Sequence, residues 1–599
     1  MSSLSSVCFS RAHKYHPAKH TLLLAIVASV GLTACSSQQA SKPVVEPSTS
    51  TAMKKPRRPD TLPNTPSVSD RNSVDSFKVV RESASPLPSS DIQAPIPAPI
   101  VRPEPISITP EAGDNYQKNE ANPVHRTMDM AVSTLSIDTD TGSYANVRRY
   151  LNEGQLPPVG AVRVEELINY FNYQFGDGER IANAPFVVAT EVVDSPWDKA
   201  DQDNKIVKVG IKAVDNSWSK KSDKQSIPPA NLVFLVDVSG SMSSRDKLAL
   251  AQSSLKLLTE QMRAQDSISI VTYSGSTSVA LPATSGDQKA KILAAIDGLN
   301  ASGSTNGEDA LKLAYRQAEQ GLKKNGINRI MMLTDGDFNV GINDVDEMLD
   351  LVKASRDRGI SLSTVGFGRG NLNDYMMEQM ADNGNGNYSY IDSLTEAKKV
   401  FGDELAATFN TVAKDVKVQV EFNPDVVSEW RLIGYENRVL NEQDFNNDKV
   451  DAGELGAGKA VIALFEITPK GQKGLYSERR YADSTTTTNV TSNQKANELG
   501  YLKIRYKAPT GGSSILISQP INNASRSLDK ANTDTQFAIS VAGFGQRLTQ
   551  SEYINEWQYN DSSKLATSSI THQPSSDSDG TRRNFVILTE LADALDGTK

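Results

Sequence analysis

Between residues 230 and 410 the chain alternates short apolar runs with stretches whose apolar positions recur every three or four residues. Leu232-Val233-Phe234-Leu235-Val236 is apolar without interruption between Pro228-Pro229 and a Gly/Ser turn. That pattern predicts a central parallel strand covered on both faces. Leu248, Ala251, Leu255, Leu258 and Met262 follow at alternating steps of three and four, so an amphipathic helix over 247–262 packs back on the sheet. Gly303-Ser304-Thr305-Asn306-Gly307 opens a helix carrying Ala310, Leu311 and Leu313, and Ile330-Met331-Met332-Leu333 predicts a second buried strand. The last helix of this stretch is expected at about 394–409. Strand and helix in alternation predict an α/β unit with a doubly wound, Rossmann-like sheet.

The flanks read differently. Ser133-Thr134-Leu135-Ser136-Ile137-Asp138-Thr139-Asp140 alternates with period two, helices are predicted over 144–151 and 164–171 on either side of Pro157-Pro158, and strands follow near 186–193 and 206–211. Beyond 410 period two returns at 416–422, 460–467 and 502–506. Strand patterns on both sides of the α/β unit predict a mainly β, sandwich-like region into which that unit is inserted. A helical C-terminal tail is expected, with helices at 536–548 and 585–595 separated by a polar, Ser-rich stretch.

The chain start changes the picture. Arg11, Lys14 and Lys19 precede an apolar stretch over 22–32 that is short for a membrane span and reads as a signal-peptide core. Leu32-Thr33-Ala34-Cys35 then resembles the bacterial lipobox, which implies cleavage before Cys35 and its lipidation. The only other cysteine, Cys8, lies in the leader, so Cys35 has no disulfide partner in the mature chain. Two or more acyl chains anchor stably, at about 0.8 kcal/mol per buried methylene. Ser36, in place of Asp after the cysteine, implies passage to the outer membrane of a bacterial cell envelope. Half of the 28 prolines fall between 36 and 114 in Ser/Thr/Pro-rich sequence, which predicts a disordered tether. Cleavage removes three basic and no acidic residues from a chain of net charge −9, and the more acidic product argues against nucleic acid.

The candidate chemistry lies at the predicted strand ends. Asp237, Ser239 and Ser241 follow the first strand as Asp-Val-Ser-Gly-Ser, Asp335 follows the second, and Thr305 opens the helix between them. In an open α/β sheet all three segments face the crevice beyond the carboxyl strand ends. Hydroxyls and carboxylates without His or Cys suit a hard divalent cation, Mg²⁺ before Mn²⁺ or Ca²⁺. An isolated Asp-x-Ser-x-Ser is as often only a helix-capping turn, but here three segments converge. Their order resembles the metal-ion-dependent adhesion site (MIDAS) of the von Willebrand factor type A (VWA) domain. The resemblance implies that Ser239, Ser241 and Thr305 ligate directly, and Asp237 and Asp335 directly or through water. It also implies an open position for a partner's Asp or Glu carboxylate. Asn146-Val147-Arg148-Arg149, Arg163-Val164-Glu165-Glu166-Leu167-Ile168-Asn169-Tyr170 and Arg431-Leu432-Ile433-Gly434-Tyr435-Glu436-Asn437-Arg438 are similar to the YfbK-type family of bacterial VWA proteins, over most of the mature chain.

Other motifs carry less. Asp140-Thr141-Gly142 is a lone triplet, whereas aspartic-protease chemistry needs two carboxylates sharing a proton. Residues 453–459 hold the glycine and lysine positions of a phosphate loop, but Ala460 replaces its hydroxyl and a strand follows. Residues 444–448 start like a calcium loop, yet Lys449 replaces the turn glycine, leaving an acidic turn or an irregular loop with Asp451 and Glu454. Arg369, in a Gly-rich turn, is a candidate to assist an acidic ligand. Of five histidines only His125 and His572 lie beyond the leader, and neither adjoins a nucleophile motif. The expected organisation is a signal peptide (1–34), a lipidated tether (35–115), an N-terminal region (116–228), the VWA domain (229–410), a β-rich region (411–520) and a helical C-terminal region (521–599). The expected function is non-enzymatic: a membrane-anchored lipoprotein gripping a protein or peptide carboxylate through its cation. A structural envelope protein with a merely stabilising metal, and a metal-assisted hydrolase using Asp337, are the alternatives.

Overall fold

The computed structural model describes residues 113–597 apart from 119, 177, 182, 199–201, 215–227, 305–306, 337–344, 478 and 480–496. The leader, Cys35 and nearly all of the tether lie outside the described residues, as do Thr305 and Asp337. Among the described residues no helix is long and apolar enough to cross a membrane.

The apolar run at 232–236 lies in strand Ala230–Asp237, every residue of which is buried. Its side chains alternate between two cores. Leu232, Phe234 and Val236 pack with Leu255, Leu333 and Phe401 on one face, while Val233 and Leu235 pack with Leu311, Tyr315 and Met332 on the other. A strand that feeds two cores has no polar face, so its sequence is apolar throughout. Strands Ile327–Thr334, Ser361–Phe367 and Tyr388–Ile391 extend the sheet on one side, and Ser267–Tyr273 and Thr277–Ser285 on the other. All neighbours are parallel except the last pair. Strand order therefore reverses between Ala230–Asp237 and Ile327–Thr334, and a crevice opens there beyond the carboxyl ends.

The α/β unit is an insertion. Strand Lys205–Ala213 precedes it and strand Thr411–Phe422 follows it, and these two belong to facing sheets over one core that includes Val207, Val209, Val418, Val420 and Phe465. The N-terminal strand Val132–Ser136 pairs with Thr411–Phe422 across the whole insertion. The ends of the insertion lie near each other: Ala213 N–H donates to Lys459 O, and Ala457 N–H to Asn410 O. Close ends let a domain interrupt another without disturbing its core.

Helices Gly142–Asn152, Val164–Asn169, Thr533–Leu548, Tyr559–His572 and Thr581–Asp596 form a third layer with its own core around Phe171, Phe537, Phe544 and Phe585. Between the two expected C-terminal helices, the polar, Ser-rich stretch holds a third helix, Tyr559–His572. Gln558 and Asp561 close a capping box at its start. The serines that made the stretch read as polar sit on the packed face: Ser562 and Ser569 are fully buried, and Ser569 satisfies its hydroxyl on Ala566 O at 2.7 Å. The predicted helix at 394–409 is also interrupted, with a π-helical turn Lys399–Glu404 between α-helical pieces Leu394–Lys398 and Leu405–Thr408.

Buried ion pairs fasten the insertion to its surroundings. Arg163 pairs with Glu166 and with Asp374 of helix Asp374–Asn383, and Arg438 Nη1 reaches Asp382 of the same helix at 2.7 Å. Arg148 reaches Asp392 at 2.6 Å and Glu396 at 2.7 Å. Helix Gly142–Asn152, which carries Arg148, also packs on edge strand Tyr388–Ile391, shielding a sheet edge that otherwise invites pairing with another chain.

Candidate metal site

The site is built from three chain reversals at the crevice. Asp237 ends its strand in register with Tyr273, and the neighbouring strand ends in Thr334. The Asp237 carboxylate is fully buried and spans the crevice: Oδ1 accepts Ser239 N–H at 2.8 Å and Oδ2 accepts the Thr334 hydroxyl at 3.0 Å. Ser239 stands just before the short turn Gly240–Ser243, which swings Ser241 round until the two hydroxyls lie 2.9 Å apart. Gly240 N–H donates to Gly303 O at 2.9 Å and Ser302 N–H to Val238 O at 2.8 Å, so the loop leading to Thr305 is tied to the serine turn. Asp335, 1 % exposed, follows Thr334 directly. Gly336 then turns with φ +93°, and a Cβ there would stand 2.3 Å from Asn373 N, so only glycine fits.

The structure thus brings together Asp237, Ser239, Ser241 and Asp335 at one sheet edge, while Thr305 lies outside the described residues. Two neighbours escaped the sequence reading. Thr334, the last residue of an apolar strand, orients Asp237. Lys247, read only as the start of a helix, donates from Nζ to Asp335 Oδ2 at 2.9 Å and is itself 6 % exposed. Neither contact has a local sequence signal, since each spans at least 88 residues. Arg369 is not directed to the site; it is exposed and pairs with Glu153 at 3.1 Å.

Burial dominates the electrostatics. It pushes the Asp237 carboxyl up to about 6, helped by nearby Asp335 and opposed by the hydrogen bonds from Ser239 and Thr334. Burial and the same carboxylates raise the Tyr273 phenol as well. A buried carboxylate displaced in this direction is one that a cation would stabilise. Among the described residues no three His, Cys, Asp or Glu side chains gather as a ligand cluster, so hydroxyls would have to complete any coordination. The two serines supply that oxygen-only donor set, which fits Mg²⁺, Mn²⁺ or Ca²⁺ and disfavours zinc.

The other motifs resolve into structural roles. Asp140 is buried and pairs with Arg438 at 3.2 Å. Lys459 pairs with Glu404 at 2.7 Å, and strand Ala460–Pro469 follows it. Asp444 caps the turn Glu442–Asn446, Asp451 pairs with Arg356 at 3.0 Å and Glu454 with Lys414 at 3.1 Å, so these acids face separate partners.

The family model for the von Willebrand factor type A domain matches residues 231–403. A second, described as von Willebrand factor, matches 110–208, and a third, described as Uncharacterized protein YfbK, C-terminal, matches 407–595. Escherichia coli YfbK is 47 % identical over 485 residues, which cover 80 % of this chain and 81 % of that protein. The chain belongs to the YfbK family. It is a VWA-domain protein, and the type A match of this YfbK relative coincides with the inserted α/β unit. Human inter-alpha-trypsin inhibitor heavy chain H3 is 25 % identical over 286 residues, 43 % of this chain and 31 % of that protein. Among solved structures, the von Willebrand factor type A protein from Catenulispora acidiphila is 15 % identical with TM-score 0.38, covering 67 % of this chain and 89 % of its own. The ArnB paralog VWA2 from Sulfolobus acidocaldarius is 15 % identical with TM-score 0.31, covering 69 % and 98 %.

Proposed function

We propose that this protein is a binding module: an exported lipoprotein, anchored through Cys35 to the cell envelope, that holds a protein or peptide carboxylate through a divalent cation at Asp237, Ser239, Ser241, Thr305 and Asp335. One observation carries the reading. At the reversal point of the sheet two buried carboxylates and two hydroxyls converge, and Asp237 accepts only neutral donors. The cation would supply the charge that this carboxylate lacks, and its Lewis acidity would recruit an acidic group from outside. Binding rather than catalysis is favoured because the two histidines beyond the leader serve elsewhere: the His125 ring lies tilted against Trp430 with centroids 4.8 Å apart, and His572 Nδ1 meets the Ser568 hydroxyl. The Leu32-Thr33-Ala34-Cys35 motif supports the anchor, and the Pro-rich segment behind it supports a tether with reach into the envelope.

Crosslinking capture from intact envelope, run with Mg²⁺ and with EDTA, tests the reading. Partners recovered with Mg²⁺, lost with EDTA and lost again in Asp237→Ala are expected. Equal capture under all three conditions would sink it.

A further inference from the structure

The charged groups at the crevice do not balance as a simple carboxylate site would. Among the described side chains that meet there, Asp237 and Asp335 are anionic and Lys247 is cationic. Lys247 is not a solvent-facing lysine that happens to fall near an acid. It is 6 % exposed, it precedes helix Leu248–Gln261, and its stem lies across the turn after strand Ser361–Phe367. Gly368 makes that path available: its φ is +67°, and a Cβ there would stand 2.3 Å from Lys247 Cγ and 2.5 Å from Cε. The turn is fixed in turn by Tyr390, whose hydroxyl donates to Gly368 O at 2.6 Å. Helix start, glycine turn and tyrosine together aim the ammonium at Asp335.

Resting on the cation-site reading above, we propose that Lys247 is a resident counter-charge of that site, one that lowers divalent affinity and makes the loaded site electropositive toward an acidic partner group. Among the described groups, the two carboxylates and the one ammonium leave a single negative charge. A doubly charged ion turns this into a single positive charge, and one carboxylate from outside neutralises it. Without Lys247 the two aspartates would bring the loaded site close to neutrality, and its pull on an anion would be weaker. Lys247 is thus a positioning and charge-setting residue rather than a ligand.

The full-length protein in detergent micelles, titrated with Mn²⁺ at fixed pH and ionic strength and followed by the free-ion electron paramagnetic resonance signal, tests this. Lys247→Met keeps the length of the stem and removes the charge. It should bind Mn²⁺ about tenfold more tightly, equivalent to about 1.4 kcal/mol, and Mn²⁺ should raise its melting temperature more than that of the wild type, as binding to the folded state requires. Acetate, the simplest carboxylate probe, should tighten Mn²⁺ binding more in the wild type than in Lys247→Met. Lys247→Arg, which retains the charge, should behave as the wild type does. Unchanged or weaker Mn²⁺ binding by a natively folded Lys247→Met would overturn the inference while leaving the cation site standing. No Mn²⁺ binding by the wild type would remove both. Should Lys247→Met fail to fold, Gly368→Ala decides: displacing the stem tightens Mn²⁺ binding if Lys247 sets the charge, and leaves it unchanged if it does not.

Discussion

At the scale of single residues, the site depends on how a buried carboxylate is held. Asp237 accepts the Ser239 backbone N–H and the Thr334 hydroxyl, and both donors also fix the strand ends. Asp237→Ala should abolish divalent uptake in isothermal titration while far-UV circular dichroism stays native, because the alanine leaves the surrounding apolar core intact. Thr334→Val should weaken uptake less: it removes the donor that orients Oδ2 and also the acceptor for Gly336 N–H at 3.0 Å. A stability loss of about 1–2 kcal/mol by urea unfolding is expected, since a buried donor is left unpaired. Asp237, Ser239, Ser241 and Asp335 were legible because each stands at or just past the end of an apolar run. Lys247 and Thr334 were not, because their partners are brought near only by the sheet.

At the scale of elements, burial of small polar residues explains where periodicity misled. Helix Tyr559–His572 packs against Thr533–Leu548 and Thr581–Asp596 with Ser562, Ser563, Ala566 and Ser569 inward. Short side chains let helix axes approach closely, and serine hydroxyls can be satisfied within the helix, so a packed face takes on a polar sequence. Ser569→Leu should overpack this layer and cost about 1–3 kcal/mol in urea unfolding, whereas Thr567→Ala on the exposed side should be nearly neutral. The long apolar strands suffered no such ambiguity, since Ala230–Asp237 serves two cores and admits no polar face.

At the scale of the whole molecule, the inserted unit and its host are joined by buried charge rather than by apolar contact alone. Arg163 holds Asp374 from across the junction, with Arg163 2 % exposed and Asp374 1 %. Asp374→Ala would leave that guanidinium to Glu166 and Glu378 and the buried Tyr388 hydroxyl without its acceptor, and a loss of about 1–3 kcal/mol is expected for the unpaired donor, measured as a lower urea midpoint. Glu404 gives the junction an acid limit. Burial alone would raise its carboxyl, but Lys459 from the host and Lys399 from its own turn outweigh burial and hold it down, to about 2. A folded value below the ordinary glutamate value of about 4.3 contributes stability that is complete above that value and is lost as pH falls through about 2. Stability measured from pH 5 to pH 2 should therefore fall less steeply in Glu404→Gln, by on the order of 2–3 kcal/mol over the range.

The sequence by itself determined the α/β class of the insertion, the strands that flank it and the oxygen donors at its strand ends. These are local facts: period, run length and the residue that follows a buried strand are set by which faces a segment must hide. Only the tertiary structure decided that Val132–Ser136 closes a sheet with Thr411–Phe422, that a serine-rich stretch is a packed helix, and that Lys247 stands against Asp335. Each of these is a pairing between distant segments, and a chain's own periodicity records that a face is buried but not which face it meets.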